Sequence, residues 1–457
     1  MKLRIAPIAT AALIAILSTV ASGQAAEWKA GVARTTVTPE QALWMAGYAG
    51  RKSPAEGKEQ ELYAKALAIE DQAGTKLIIV TLDLISVPRP LRDGLEKSIR
   101  ARHDLQPSAL LLNCSHTHCG PELRTRQPAN RSIYPSDPDT MMGYYMWLEN
   151  RLNQLIDSAL EDLSPARLSF GKARCGFAMN RRLPTERGFI NSPYSDGPVD
   201  HDVPVLRVES TDKKLRAVLF GYACHNTTLG FMRWNGDYAG YAQEYFEADH
   251  PGVTALFMSG CGADQNPYPR RTLELAKKHG RSLATAVEAA LIANPTTLRG
   301  TLKTAYENVS LSYATPPTRE ELTERAKSTN VYDRTYAEAL LDELSENGKL
   351  RVSYPFPVQV VRFSDQLTLV ALGGETCVDY SLRLKRELKG SQVWVAGYSN
   401  DVMAYIPSKR VLLEGGYESG SSMRYFRTTV HPAYWHESVE ELIIGKVHDL
   451  NRRLGGE

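Results

Sequence analysis

The stretch Ala109-Leu-Leu-Leu-Asn-Cys-Ser-His-Thr-His-Cys-Gly-Pro121 decides the fold. Its apolar opening reads as a strand, and the strand stops at a polar turn that carries two imidazoles two residues apart. In an extended segment residues i and i+2 project to the same side, so His116 and His118 face one point in space, as metal ligation or proton transfer requires. A hydrogen-bonded histidine pair in a buried loop fits this stretch equally well, and the choice depends on what the rest of the chain brings to the same place.

Outward from it the same unit recurs. Lys76 to Asp83 is strand-like and precedes the helix-patterned Leu91 to Arg102, which leads back to Ala109. Arg216 to Ala223 ends in Cys-His225-Asn-Thr-Thr. Val253 to Met258 ends in Ser-Gly-Cys-Gly-Ala-Asp264-Gln265-Asn-Pro267, ahead of the amphipathic Thr272 to Ala293. Leu367 to Leu372 ends in Gly-Gly-Glu375 before the helix-patterned Cys377 to Leu388, and Gln392 to Ala396 ends in Gly-Tyr-Ser-Asn-Asp401. Strands alternating with helices predict an α/β fold, with a mixed or largely parallel sheet flanked by helices.

The unusual residues fall just past the strand ends: His116 and His118, His225, Asp264 and Gln265, Glu375, and Asn400 to Tyr405. Ligands of open α/β sheets bind in that crevice. Five loops are thus expected to deliver His, His, Glu and Tyr to one edge of one sheet. Two or three histidines with a carboxylate make a common zinc shell, open to water in a catalytic site.

Residues 1–26 carry Lys2 and Arg4, an apolar run from Ile5 to Val20 and then small residues, the pattern of a secretory signal peptide. That run is short for a membrane span, and nothing later approaches the roughly 18 consecutive apolar residues that one needs. The expectation is an exported protein, periplasmic or secreted, without a transmembrane segment. With 54 basic against 52 acidic side chains, no electrostatic pull toward nucleic acid is implied. No low-complexity linker divides residues 27–457, which are read as one large domain. Six cysteines in an exported chain allow disulfides, with Cys114–Cys119 or Cys224–Cys261 as candidate pairs. A cysteine–histidine hydrolase is the competing chemistry near the same crevice.

Nine stretches, taken together and in order, resemble the catalytic domain of the neutral/alkaline non-lysosomal ceramidase family. They are Ala30 to Pro39, Met45-Ala-Gly-Tyr-Ala49, Leu62 to Leu67, Ser115-His-Thr-His-Cys-Gly-Pro121, Met179-Asn-Arg-Arg182, Ala223-Cys-His225, Gly236 to Tyr241, Gly373-Gly-Glu375 and Asn400 to Tyr405. The resemblance implies a zinc ion held by His116, His225, Glu375 and Tyr405. It implies hydrolysis of an N-acyl amide by activated water, with His118 and Arg181 at the reacting carbonyl and Tyr417 of Gly415-Gly-Tyr-Glu418 beside them. A small-molecule N-acyl or lipid-like substrate follows.

Two departures bear on the substrate. Where the family has a serine in an Asn-x-x-Ser-Pro-Asn-like stretch, this chain has Gly262-Ala-Asp-Gln-Asn-Pro267, with Gln265 at the expected serine position. Glutamine forms no acyl-enzyme. The family's better-known members also carry an immunoglobulin-like domain after this one, whereas here the amphipathic Ser438 to Leu454 is followed only by the residues up to Glu457. A smaller or more polar N-acyl compound is therefore as plausible as ceramide. An ester or carbohydrate-derived substrate on the same scaffold, or a non-catalytic periplasmic binding protein, are the alternatives. Asp83 and Asp237 are expected to organise loops or to support metal-bound histidines, His201 to be surface or structural, Tyr434-Trp435 to be core rather than cleft lining, and the charged Pro316 to Asn347 to be a solvated helical insertion, with a lid over the site as the lesser alternative.

Overall fold

The computed structural model describes residues 28–123, 138–426 and 429–456, so the expected signal peptide lies outside the described residues. In chain order the first elements are β1 (Trp28–Thr36), β2 (Tyr63–Asp71), β3 (Lys76–Leu82), α1 (Arg89–His103), β4 (Leu110–Cys114), α2 (Pro138–Glu161), β5 (Ser164–Arg174), β6 (Ala178–Thr185) and β7 (Gly188–Tyr194). Then come β8 (Asp202–Ser210), β9 (Leu215–Tyr222), α3 (Asp237–Asp249), β10 (Thr254–Ser259), β11 (Gln265–Pro267), α4 (Leu273–Ile292), β12 (Thr296–Leu298), β13 (Leu302–Ser312), α5 (Arg319–Arg325) and α6 (Val331–Asn347). The last are β14 (Ser353–Phe363), β15 (Leu367–Leu372), β16 (Glu375–Thr376), α7 (Val378–Glu387), β17 (Gln392–Ala396), β18 (Tyr405–Ile406), α8 (Lys409–Glu414) and α9 (Val439–Arg453).

Two sheets pack face to face between two helical layers. The larger, of nine strands, runs β10-β9-β8-β5-β1-β2-β3-β4 with β12 paired to β5, and the smaller runs β13-β14-β15-β17. The apolar runs are continuous rather than alternating because both faces of each strand are covered. Leu77, Ile79 and Leu111 point to the face shared with Val361, Leu369 and Trp394 of the smaller sheet. Their neighbours Ile78, Val80, Leu110 and Leu112 point the other way, onto Leu91 and Leu95 of α1 and Leu148 and Leu152 of α2. Val218 and Phe220 meet Phe246 of α3 and Leu283 of α4 on that same side. Beyond the smaller sheet, Val360, Val370 and Leu372 pack on Leu384 of α7 and Ile443 and Val447 of α9. Each such side chain contributes about 1.5–3 kcal/mol on burial.

The sheets are mixed, and the site draws on both of them rather than on one edge of one sheet. Antiparallel pairing dominates the large sheet, whose parallel pairs are β3–β4 and β9–β10; the small sheet has β15–β17. These parallel pairs are the ones whose carboxyl ends carry the residues singled out above. Chain periodicity marks a strand but not its partner, which is why the second sheet was not foreseen. Among the described residues no helix is long and apolar enough to cross a membrane. All six cysteines are free and buried, so neither candidate disulfide forms.

Candidate metal centre

Asn113, the last polar residue inside β4, ties the two sheets together where the site begins. Its Nδ2 donates to the carbonyl of Gly397, 2.8 Å, and to Ser399 Oγ, 3.1 Å, while its Oδ1 accepts from Ser259 N at 2.8 Å. The ends of β4, β10 and β17 are thereby fixed to one another. Three residues on, His116 has φ 59°, a left-handed conformation uncommon for a residue with a Cβ and characteristic of strained functional turns. His116 and His118 do meet, with Nε2 atoms 3.3 Å apart. They do so through this turn, however, and not through the extended geometry expected from their spacing.

His225, past the end of β9, closes on the same point. Its Nε2 lies 3.2 Å from Glu375 Oε2, and His116 Nε2 lies 3.2 Å from the same oxygen. Tyr405 Oη is 3.2 Å from His225 Nε2. Glu375 and Tyr405 are paired partners in the short parallel bridge β16–β18, and facing residues of a bridge project to one side. Gly374, at φ 65°, makes this approach possible: a Cβ there would stand 2.4 Å from Ile406 Cγ1 and 2.8 Å from the Ala404 carbonyl.

Nδ1 of His116 donates to the Ile85 carbonyl at 2.6 Å, and Nδ1 of His225 to that of Gly262 at 2.9 Å, which turns each Nε2 toward Glu375. Burial pushes the His225 imidazole down to about 4, with Arg181 adding to the effect. Burial also takes His118 well below the ordinary range, helped by the neighbouring imidazoles. Burial opposes ionising Glu375, yet His116 and His225 hold its carboxyl well below the usual carboxylate range. Glu375 Oε2 is buried without a hydrogen-bond partner. Two imidazole nitrogens and a carboxylate oxygen converging in a buried site make a donor set that fits a cation. A tetrahedral ion with bonds of about 2.1 Å spaces its ligands about 3.4 Å apart, close to the separations found here. The three imidazoles form a second possible donor set, their ligand atoms all within 4.8 Å. We favour His116, His225, Glu375 and Tyr405, because in that set the imidazoles converge on a carboxylate charge and His118 is left facing the cavity.

The carbonyls of Ile85 and Gly262 therefore do the supporting work expected of Asp83 or Asp237. Those two aspartates organise loops: Asp83 accepts from Tyr63 N at 3.0 Å, and Asp237 from Leu229 N at 2.8 Å. His201 bonds the Ala178 carbonyl, as a structural histidine does, and Trp435 donates its indole N–H to the Tyr405 carbonyl at 2.9 Å.

Arg181 stands behind Tyr405 rather than on the cavity wall. Its Nη2 donates to Tyr405 Oη at 3.0 Å, its Nε to Glu418 at 2.8 Å and its Nη1 to Asn266 Oδ1 at 3.3 Å. Burial and the Glu375 charge raise the Tyr405 phenol well above its ordinary range, and Arg181 works against both. Tyr417 packs edge-on against Tyr405, ring centres 5.3 Å apart, and does line the cavity. Gln265 faces away from the site: its Oε1 accepts from Asp200 N at 2.9 Å and its Nε2 donates to the carbonyls of Ala223, 2.8 Å, and Cys261, 3.2 Å. Strand residues alternate sides, so it is Asn266 that turns toward Arg181 and Thr227. Gln265→Ala is expected to cost about 2–3 kcal/mol of stability through orphaned backbone groups while leaving the metal content intact; denaturant unfolding beside elemental analysis measures both.

A cavity of about 290 Å³ opens over this cluster, with His116, His118, Glu375, Tyr405 and Tyr417 on its floor and walls. Several lining residues escaped the sequence reading. Tyr48, in the quoted Met45 to Ala49 stretch, packs on His118 with ring centres 4.8 Å apart. Glu122, Tyr425 and Phe426 also line it, and so does Tyr332 of α6, which corrects the expectation that Pro316 to Asn347 is merely solvated. Burial raises the Cys114 and Cys261 thiols and takes Cys119 up to about 12. Thiols so placed are poor nucleophiles, which weighs against the cysteine–histidine alternative.

Residues 28–268 match the family model described as neutral/alkaline non-lysosomal ceramidase, N-terminal. Over 266 residues, 56% of this chain, the sequence is 25% identical to the neutral ceramidase of Drosophila pseudoobscura pseudoobscura, and the match spans 35% of that protein's length. The fold is similar to the crystal structure of neutral ceramidase from Pseudomonas aeruginosa, with a TM-score of 0.71 over 93% of this chain and 74% of the other at 18% identity. A structure described as ceramidase complexed with C2 aligns with a TM-score of 0.70 over 93% and 76% of the two chains at 17% identity. At such identities the structural likeness is one of fold.

Proposed function

Because the chain belongs to the neutral/alkaline non-lysosomal ceramidase family, we propose that it is a zinc-dependent amidohydrolase that cleaves the N-acyl bond of ceramide or of a smaller N-acyl compound. The proposal takes residues 1–26 as a signal peptide and the remainder as an exported catalytic domain. One observation carries it: the Nε2 atoms of His116 and His225 converge at 3.2 Å on one buried Glu375 oxygen.

His116, His225, Glu375 and Tyr405 would hold the ion. Zinc bound there supplies Lewis acidity and a water of near-neutral pKa. His118, kept neutral by burial, is the proton carrier: it takes a proton from the nucleophilic water and hands it to the leaving amine. Arg181 acts through Tyr405, its guanidinium lowering the cost of negative charge on the phenol oxygen that it bonds. Tyr417 takes the carbonyl-facing place on the cavity wall that Arg181, behind Tyr405, does not occupy.

Elemental analysis of the purified protein, coupled to an activity screen with and without chelator, tests this. A panel of N-acyl sphingoid, N-acyl amino acid, ester and glycoside substrates should show amide hydrolysis. About one zinc per chain is expected, with activity lost on chelation and restored by zinc. Full hydrolysis by metal-free protein, or turnover of glycosides or esters alone, sinks the proposal.

A further inference from the structure

Tyr332 stands in the first turn of α6 and lines the cavity. Its Oη donates to the Ala49 carbonyl at 2.9 Å, on the loop whose Tyr48 packs against His118, and its ring meets Tyr425 edge-on at 5.0 Å. The insertion that presents it is itself anchored to the body. Asp333 accepts from Arg424 at 3.0 Å and from Arg325 at 2.6 Å, and Tyr336 Oη donates to the His431 carbonyl at 2.6 Å. A small apolar cluster of Leu322, Ala337 and Leu340 holds α5 and α6 against Val430 of the chain beyond. The result is a ring held on the cavity wall by anchored helices.

Resting on the amidohydrolase proposal, we infer that Tyr332 determines acyl-chain specificity, limiting the substrate to compact, polar N-acyl amides rather than amides with long hydrocarbon chains. The cavity below Tyr332, about 290 Å³, sits at the lower end of the roughly 300–1,000 Å³ that ligand pockets span. Its wall is also polar in part, with Ser86 and the Glu122 carboxylate among the lining groups. A hydrocarbon tail offers these groups no hydrogen bond, whereas a short acyl group with polar substituents does. Size and polarity thus select in the same direction.

The test compares kcat/KM over one amine acylated with chains from acetyl to palmitoyl, in the wild type, Tyr332→Ala and Tyr332→Phe. The wild type is expected to prefer the acetyl over the palmitoyl substrate by about tenfold or more. Tyr332→Ala should shrink that ratio by about tenfold, and Tyr332→Phe, which keeps the ring, should preserve it. A wild type that prefers palmitoyl, or a ratio unmoved in Tyr332→Ala, overturns the inference while leaving the amidohydrolase proposal standing. A wild type that hydrolyses none of the series brings both down together.

Discussion

His225→Ala and Glu375→Ala are each expected to yield folded protein that holds no stoichiometric zinc and has lost hydrolytic activity by about 10³-fold or more. The size follows from what a bound ion contributes to a transition state, several kcal/mol, with each 1.36 kcal/mol worth about tenfold. Both residues are buried, and losing either leaves the four-donor set one ligand short. A second readout separates lost ligation from misfolding. Zinc should raise the melting temperature of the wild type, because an ion that binds the native state alone stabilises it by mass action, and it should do nothing for either variant. A variant that retains a full complement of zinc would show that the donor set is misassigned.

The second large effect concerns the proton carrier. His118→Ala should keep its zinc and lose about 10²–10⁴-fold in kcat, the usual worth of a positioned general acid and base. Gly47→Ala should imitate it without touching the imidazole chemically. Gly47 has φ 94°, and a Cβ there would stand 2.3 Å from His118 Nδ1, so the ring must move. Arg51 makes that movement costly, since it donates to the His118 carbonyl at 2.7 Å and also to the Ala46 carbonyl, pinning the loop on both sides. Zinc content measured beside kcat distinguishes the two histidine roles: loss of metal in His118→Ala would instead favour the three-imidazole donor set.

Much of this was legible in one dimension because the signals are local. Continuous apolar runs such as Leu110 to Leu112 mark strands covered on both faces, and the polar residues after them mark where chemistry is placed. The spacing of His116 and His118 and the glycines before Glu375 are each short-range features, and they pointed to the floor of the site. Helices α1, α4, α7 and α9 were visible for the same reason, through their own periodicity.

What only the tertiary structure decided is partnership. A strand carries its burial pattern in its own residues but its neighbour in someone else's, so the second sheet, the parallel pairs at the site and the antiparallel remainder could not be read off. Partnership also moved Arg181 behind Tyr405, gave the histidines backbone carbonyls in place of aspartates and turned Gln265 away while Asn266 faces in. It brought Tyr332 of a charged, solvent-patterned insertion onto the cavity as well. The sequence by itself determined which side chains can ligate or carry a proton; packing between distant segments determined where each one points, because direction is set by contacts that no local spacing encodes.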